Sequence, residues 1–143
     1  MTDHFRKLQN MYQGAAINQI FKSTLEVGDG SAAIILPLDV SFNHAFGSAH
    51  GAVYFKLLDD AAYFAAASLV EDRCIVTVSF SIQLIKAAAS GVLSAEGHVV
   101  SNAGRILVAE SQIVDDSDDL VAIGHGTFAR SGQRLSDVEE YRL

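Results

Sequence analysis

Tryptophan is missing from this 143-residue chain, and proline and cysteine occur once each, as Pro37 and Cys74. A lone cysteine cannot close an internal disulfide, which excludes the staple of a small extracellular fold and fits a reducing compartment. Positive charge is scarce as well: 10 Lys plus Arg stand against 17 Asp plus Glu, a net charge of −7. A nucleic-acid binder needs a basic face, so that class is set aside. A membrane-spanning helix needs about 20 mainly apolar residues. The longest uncharged stretch, Val40 to Phe55, is interrupted by Ser41, Asn43, His44, Ser48 and His50. The opening MTDHFRKLQNMYQG is amphipathic, carries an acid and has no apolar block of signal-peptide type. A soluble cytoplasmic protein is the expectation, with no nucleic-acid and no membrane partner.

What is abundant is apolar. Half of the residues are hydrophobic and 19% are charged, which leaves few charges to cover a surface. Some apolar surface is therefore expected to be buried against another subunit. The length fits a single domain over residues 1–143 with one core.

Phe5, Leu8 and Tyr12 recur at helical spacing before Gly14, and a short apolar piece runs from Ala15 to Phe21. Residues 1–21 thus read as an N-terminal helical segment. Thr24 to Val27 and Ser31 to Leu38 read as strands of a hairpin around Gly28-Asp29-Gly30, with Pro37 ending the second. From Gly51 to about Leu69 the chain is rich in Ala and Leu and favours helix, with apolar residues almost all round it. A helix of that kind is wrapped by protein on most sides. Four strand-like runs follow, Ile75 to Ile85, Gly91 to Val100, Arg105 to Val114 and Leu120 to Ala129, and then a polar tail over 130–143. One long buried helix with about six strands, four of them consecutive, implies an α+β domain whose antiparallel sheet curls around the helix.

Two carboxylates, Asp59 and Asp60, interrupt the apolar helix. Burying an unpaired carboxylate costs several kcal/mol or shifts its pKa. Lys56 stands four residues before Asp60, so a solvent-facing i, i+4 pair accounts for Asp60; Asp59, next to Leu57 and Leu58, is the better candidate for chemistry. The helix start FGSAHGA offers Ser48 or His50 as caps and Gly51 as a point of close backbone approach. Unpaired N–H groups and the positive dipole end suit an oxyanion there. Asp59 follows Gly51 by eight residues, about 12 Å along a helix, whereas a reacting centre must lie about 3 Å from both groups. If both take part, Gly51 of one subunit faces Asp59 of another across a symmetric dimer.

Other constellations carry less. No GxSxG is present. GHGTFA at Gly124 to Ala129 meets GxGxxA but sits in a strand with no room for a following βαβ unit. His4, His44, His50, His98 and His125 lack metal-ligand spacing, and Cys74 reads as a packing residue.

Asn43, Gly47, His50-Gly51 and Asp59, followed by TVSFSIQLIKAAASG over 77–91, SAEGHVVSNAGRILVAESQIVD and LVAIGHGTF, stand in the order of a known family. Over roughly Phe21 to Phe128 the chain resembles the hotdog-fold acyl-CoA thioesterases of the PaaI-like (phenylacetic acid degradation) group. The resemblance implies a long helix wrapped by a curved antiparallel sheet, with sheets joined edge to edge in homodimers or homotetramers. It implies hydrolysis of an acyl-CoA, with Asp59 as general base or nucleophile and Gly51 N–H polarising the thioester carbonyl from the partner subunit. By the same resemblance His50 orients neighbouring groups, His44 or Asn43 supplies a side-chain donor, and Thr77 helps position the attacking water. No cofactor and no metal is implied. The chain departs from the family at Ala52, Leu84 and Ala87, which bear on substrate size and the pocket wall. Because CoA is anionic and this chain acidic, local positive residues are needed; Lys86, Arg105 and Arg130 are the candidates, with Gly104 allowing close backbone approach. Two other readings keep the fold: an enoyl-thioester hydratase or dehydratase, and an acyl-CoA-binding oligomer without turnover.

Overall fold

The computed structural model describes residues 2–143. Helix α1 (Asp3–Gly14) and the short α2 (Ile17–Phe21) precede the hairpin of β1 (Thr24–Gly28) and β2 (Ser31–Pro37). A 3-10 turn at Val40–Phe42 and a loop lead into α3 (Gly51–Ala67). Then come β3 (Arg73–Leu84), β4 (Val92–Ser101), β5 (Ile106–Val114) and β6 (Leu120–Arg134). All six strands form one antiparallel sheet in the order β1-β2-β4-β5-β6-β3. The expected α+β arrangement of one long helix on a sheet is therefore present. Among the described residues, no helix is long and apolar enough to cross a membrane.

The sheet buries α3 through alternating inward residues such as Ile34, Leu36, Leu93, Ala95, Leu107 and Ile113. On the helix, Leu57, Leu58, Ala61, Ala62, Ala65 and Ala66 are fully buried. The alanines let helix and sheet approach closely, and Gly97 of β4 takes this to the limit: a Cβ there would collide with the main chain of Ala61 and Ala62. One stripe of α3 stays less covered. Ala52, Phe55, Asp59 and Tyr63 recur at helical spacing and are exposed or half-buried, so Asp59 lies on the less covered side of the helix, next to the edge strand β3.

Two sequence expectations change. Residues 130–134, read as the start of a polar tail, continue β6, because β3 begins at Arg73 and offers a ladder partner as far out as Arg134. The remaining tail also packs: Leu135 is buried and Tyr141 reaches the ring of His4. Secondly, Lys56 and Asp60 do not form a solvent-facing pair. Lys56 Nζ lies 2.5 Å from Asp60 Oδ2 and stacks over the rings of Tyr12 and Phe21, 5.0 and 5.3 Å from their centroids. The N-terminal segment covers this pair, so the Lys56 stem and its charge fill the gap between α1, α2 and α3.

Candidate active site

Asp59 sits midway along α3, half-buried, and its Oδ1 accepts a hydrogen bond from Thr77 Oγ1 at 3.0 Å. Simple alternation along TVSFSIQL would put Thr77 with Ser79, Ser81 and Gln83 on the outer face. The ladder corrects this. Thr77 pairs with Phe128 and Ser79 with Thr127, leaving Val78 as an extra residue. Such a bulge turns the chain by one side-chain position. Beyond it Phe80 packs inward against Phe55 and Phe128, while Ser79 bonds Thr127 on the outside at 2.8 Å. Before it Ile75 is buried and Thr77 faces the helix.

A second tie holds the same segment. Tyr63, one helical turn beyond Asp59, donates its hydroxyl to the Ile75 carbonyl at 2.6 Å. Sequence reasoning missed Tyr63, although its i+4 spacing from Asp59 placed both on one helix face. Burial raises the Asp59 pKa, Thr77 lowers it by hydrogen bonding to the charged form, the Asp60 charge raises it and Lys56 lowers it. Asp60 is also pushed up by burial, against the opposing charge and hydrogen bond of Lys56.

The start of α3 is capped by His50, whose Nδ1 accepts from Ala52 N–H at 2.9 Å. With Nδ1 an acceptor, the other ring nitrogen, Nε2, carries the N–H. Gly51 N–H donates to no group among the described residues. A cavity of about 280 Å³ lies beside it, lined by His44, Ser48, Tyr54, Leu84, Ile85 and Lys86 among others. A Cβ on Gly51 would meet only Leu84 Cδ1, at an ordinary 3.5 Å. Packing within the chain therefore does not require glycine here.

The two side-chain donors proposed near this point are committed to their own loop. His44 Nδ1 accepts from Phe46 N–H at 3.0 Å, and its Nε2 lies 3.0 Å from Ser48 Oγ. Asn43 Nδ2 reaches the Gly47 carbonyl at 3.4 Å. The loop turns at Gly47, whose φ of +86° favours glycine. His44, His50 and Gly51 are thus together at one end of α3, and Asp59 and Thr77 are together in its middle. Eight residues of regular helix keep the two groups about 12 Å apart.

The positive residues divide in the same way. Lys86 lies at the Gly51 end, with its ammonium 2.6 Å from Asp115 and 2.7 Å from Asp119. Arg130 lies opposite Ile75, towards the Asp59 end, and its guanidinium is 3.5 Å from the Gly104 carbonyl. Gly104, Arg105 and Arg130 are therefore neighbours, whereas Lys86 is remote from them and already paired. GHGTFA has a packing role: a Cβ on Gly124 or Gly126 would strike the Phe80 ring, which lies flat on β6. His98 pairs with Glu110 on the outer face at 2.8 Å, and His125 is exposed beside them. Burial, with Asp137 nearby, raises the Cys74 thiol pKa, which disfavours a thiolate.

The family model described as the thioesterase superfamily matches residues 46–122. Among solved structures, the Escherichia coli PaaI protein of the phenylacetic acid degradation operon is 21% identical. It superposes with a TM-score of 0.84 over 92% of this chain and 96% of its own. Conserved protein PA5202 of Pseudomonas aeruginosa gives 0.77 at 32% identity, over 82% and 94%. A variant of the thioesterase enzyme SAV0944 of Staphylococcus aureus gives 0.76 at 20%, over 80% and 98%. No curated protein matches the chain.

Proposed function

Because this chain belongs to the thioesterase superfamily, we propose that it hydrolyses an acyl-CoA thioester to free acid and CoA at a site shared by two of its copies. Its fold is the hotdog fold of that superfamily. The observation that carries the reading is the pairing of a half-buried Asp59, bonded to Thr77 on an edge strand, with an unengaged N–H at Gly51.

Asp59 acts as general base on water or as nucleophile. In the first case it takes the proton of a water whose oxygen attacks the thioester carbonyl carbon. The carbonyl oxygen, gaining negative charge, is held by Gly51 N–H of the other subunit at the positive end of α3. Collapse breaks the carbon–sulfur bond, and the proton held on Asp59 passes to the departing CoA sulfur. His50 Nε2–H is a second donor beside Gly51. Thr77 orients the carboxylate and leaves its Oδ2 for the water.

Support for a shared site comes from the edge. Strand β3 pairs with β6 on one side only, and Val76, Val78, Leu84, Ile85 and Phe55 are all well exposed. An exposed apolar edge is a template for another strand, and a second copy placed there brings its own Gly51 towards this Asp59. For CoA phosphates, Arg105 and Arg130 beside Gly104 are the available cations, since Lys86 is neutralised by two carboxylates.

The test is thiol release from a panel of acyl-CoAs. Asp59→Asn and Asp59→Ala are expected to lose turnover on every substrate, while Asp60→Asn retains it. Full activity in both Asp59 variants would remove this residue from the reaction. Sedimentation would show the wild type as a dimer or larger; an active monomer would overturn the shared site.

A further inference from the structure

Tyr63 hydrogen-bonds to neither Thr77 nor Asp59, yet it joins the two elements that carry them. The segment 75–77 lies in an edge strand, and the ladder to β6 shifts register on both sides of it, between Arg73 and Ile75 and between Thr77 and Ser79. Main-chain pairing therefore restrains this stretch less than the rest of β3. Its three ladder pairs, with Arg130, Ala129 and Phe128, are supplemented from α3. The Tyr63 ring is packed edge-on against Phe64 and Phe128, with centroids 5.1 and 5.9 Å away, and its hydroxyl holds the Ile75 carbonyl at 2.6 Å. Two residues later Thr77 returns to the same helix at Asp59. Helix, tyrosine, strand segment and threonine form a closed loop of contacts whose last member is the carboxylate.

We propose that Tyr63 is a positioning residue: by fixing the Ile75 carbonyl it sets where Thr77 Oγ1 stands and so orients the Asp59 carboxylate. The proposal rests on the reading of Asp59 as the reactive carboxylate. Tyr63→Phe keeps the ring and its packing and removes only the hydroxyl, so the fold survives. A released segment lets Thr77 drift, and the carboxylate loses part of its hydrogen bond. The groups acting on Asp59 are Thr77 from β3 and Asp60 and Lys56 from α3 itself. The Lys56–Asp60 pair does not depend on Tyr63, so a change in titration reports Thr77.

The experiment measures kcat and KM for acyl-CoA against pH in wild type, Tyr63→Phe, Thr77→Val and the double variant, with melting curves for each. Loss of one net hydrogen bond corresponds to a kcat lowered roughly fivefold in Tyr63→Phe, with KM unchanged. The acid limb of the profile should move to higher pH, because a hydrogen bond that favoured the charged carboxylate is weakened. In the Thr77→Val background the same change should do nothing further to kcat or the limb, as expected of residues acting in series. A wild-type limb with only a lower Tm would overturn the proposal, as would full additivity in the double variant. Asp59→Asn separates the two ideas. If it stays active, the assignment of Asp59 is wrong; if it is dead while Tyr63→Phe behaves as wild type, only the role of Tyr63 is wrong.

Discussion

Thr77 donates to Asp59 across 3.0 Å because a single extra residue, Val78, turns the strand between Thr77 and Ser79. A hydroxyl that strand alternation would place outside is instead aimed at a carboxylate in the central helix. Thr77→Val keeps the shape and removes the donor. A hydrogen bond to a charged group contributes about 1.5–3 kcal/mol, so kcat should fall at least tenfold. The acid limb of activity should rise in pH, since Thr77 lowers the Asp59 pKa. Thr77→Ser, which retains the hydroxyl, should restore most of both; steady-state kinetics against pH checks it.

Gly51 permits an unusually clean test of a main-chain donor. It is the first residue of α3, where proline is well tolerated. His50 before it has φ −62° and ψ 146°, a conformation compatible with a following proline. A Cβ at this position would meet Leu84 Cδ1 at ordinary van der Waals contact. Gly51→Pro should fold with unchanged circular dichroism and lose kcat by about 10²–10³, the usual effect of removing one oxyanion donor. Gly51→Ala, which keeps the N–H, should lose far less. Equal losses in the two variants would point to crowding rather than a missing donor.

Asp59 should weaken the fold that it serves. Its folded-state pKa lies above the ordinary carboxylate value, chiefly through burial. A group raised in this way favours folding below its unfolded pKa, and that advantage is lost as pH rises through the folded value. At neutral pH the charged carboxylate is therefore a burden, and Asp59→Asn should raise Tm by a few degrees while abolishing turnover. The gain should shrink as the pH is lowered through the raised pKa. Thermal melts of wild type and variant from acid to neutral pH would reveal it.

The positive residues should separate by location. Arg105→Gln and Arg130→Gln should each raise KM for acyl-CoA about two- to fivefold, the range of exposed ion pairs, and should flatten its dependence on salt. Lys86→Gln should change KM little, since its charge is answered by Asp115 and Asp119. A large KM effect at Lys86 alone would move the phosphate contacts to the other end of α3.

The central helix was legible because Ala and Leu dominate residues 51–67 on nearly every side, and the hairpin because Gly28-Asp29-Gly30 leaves little alternative to a turn. Gly51, His50 and Asp59 stood out in the sequence, since an acid in an apolar helix and a glycine at its start are local features. The bulge at Val78 was not legible: valine suits any strand, and the shift arises from how β3 meets β6. Lys86 read as a free cation because its two carboxylates lie 29 and 33 residues away. Asp60 read as solvent-facing because nothing local says that Tyr12 and Phe21 close over Lys56. In each case the deciding partner is distant in sequence.

At Gly97 the strand lies against the main chain of α3 at Ala61 and Ala62, two and three residues beyond Asp59. The height of the helix above the sheet is thus fixed by backbone against backbone. Side chains lining the cavity beside Gly51, such as Leu84 and Ile85, can be exchanged without moving that datum. If the proposed reaction is right, the lining of that cavity can be redesigned for a different acyl group while the carboxylate stays where it is.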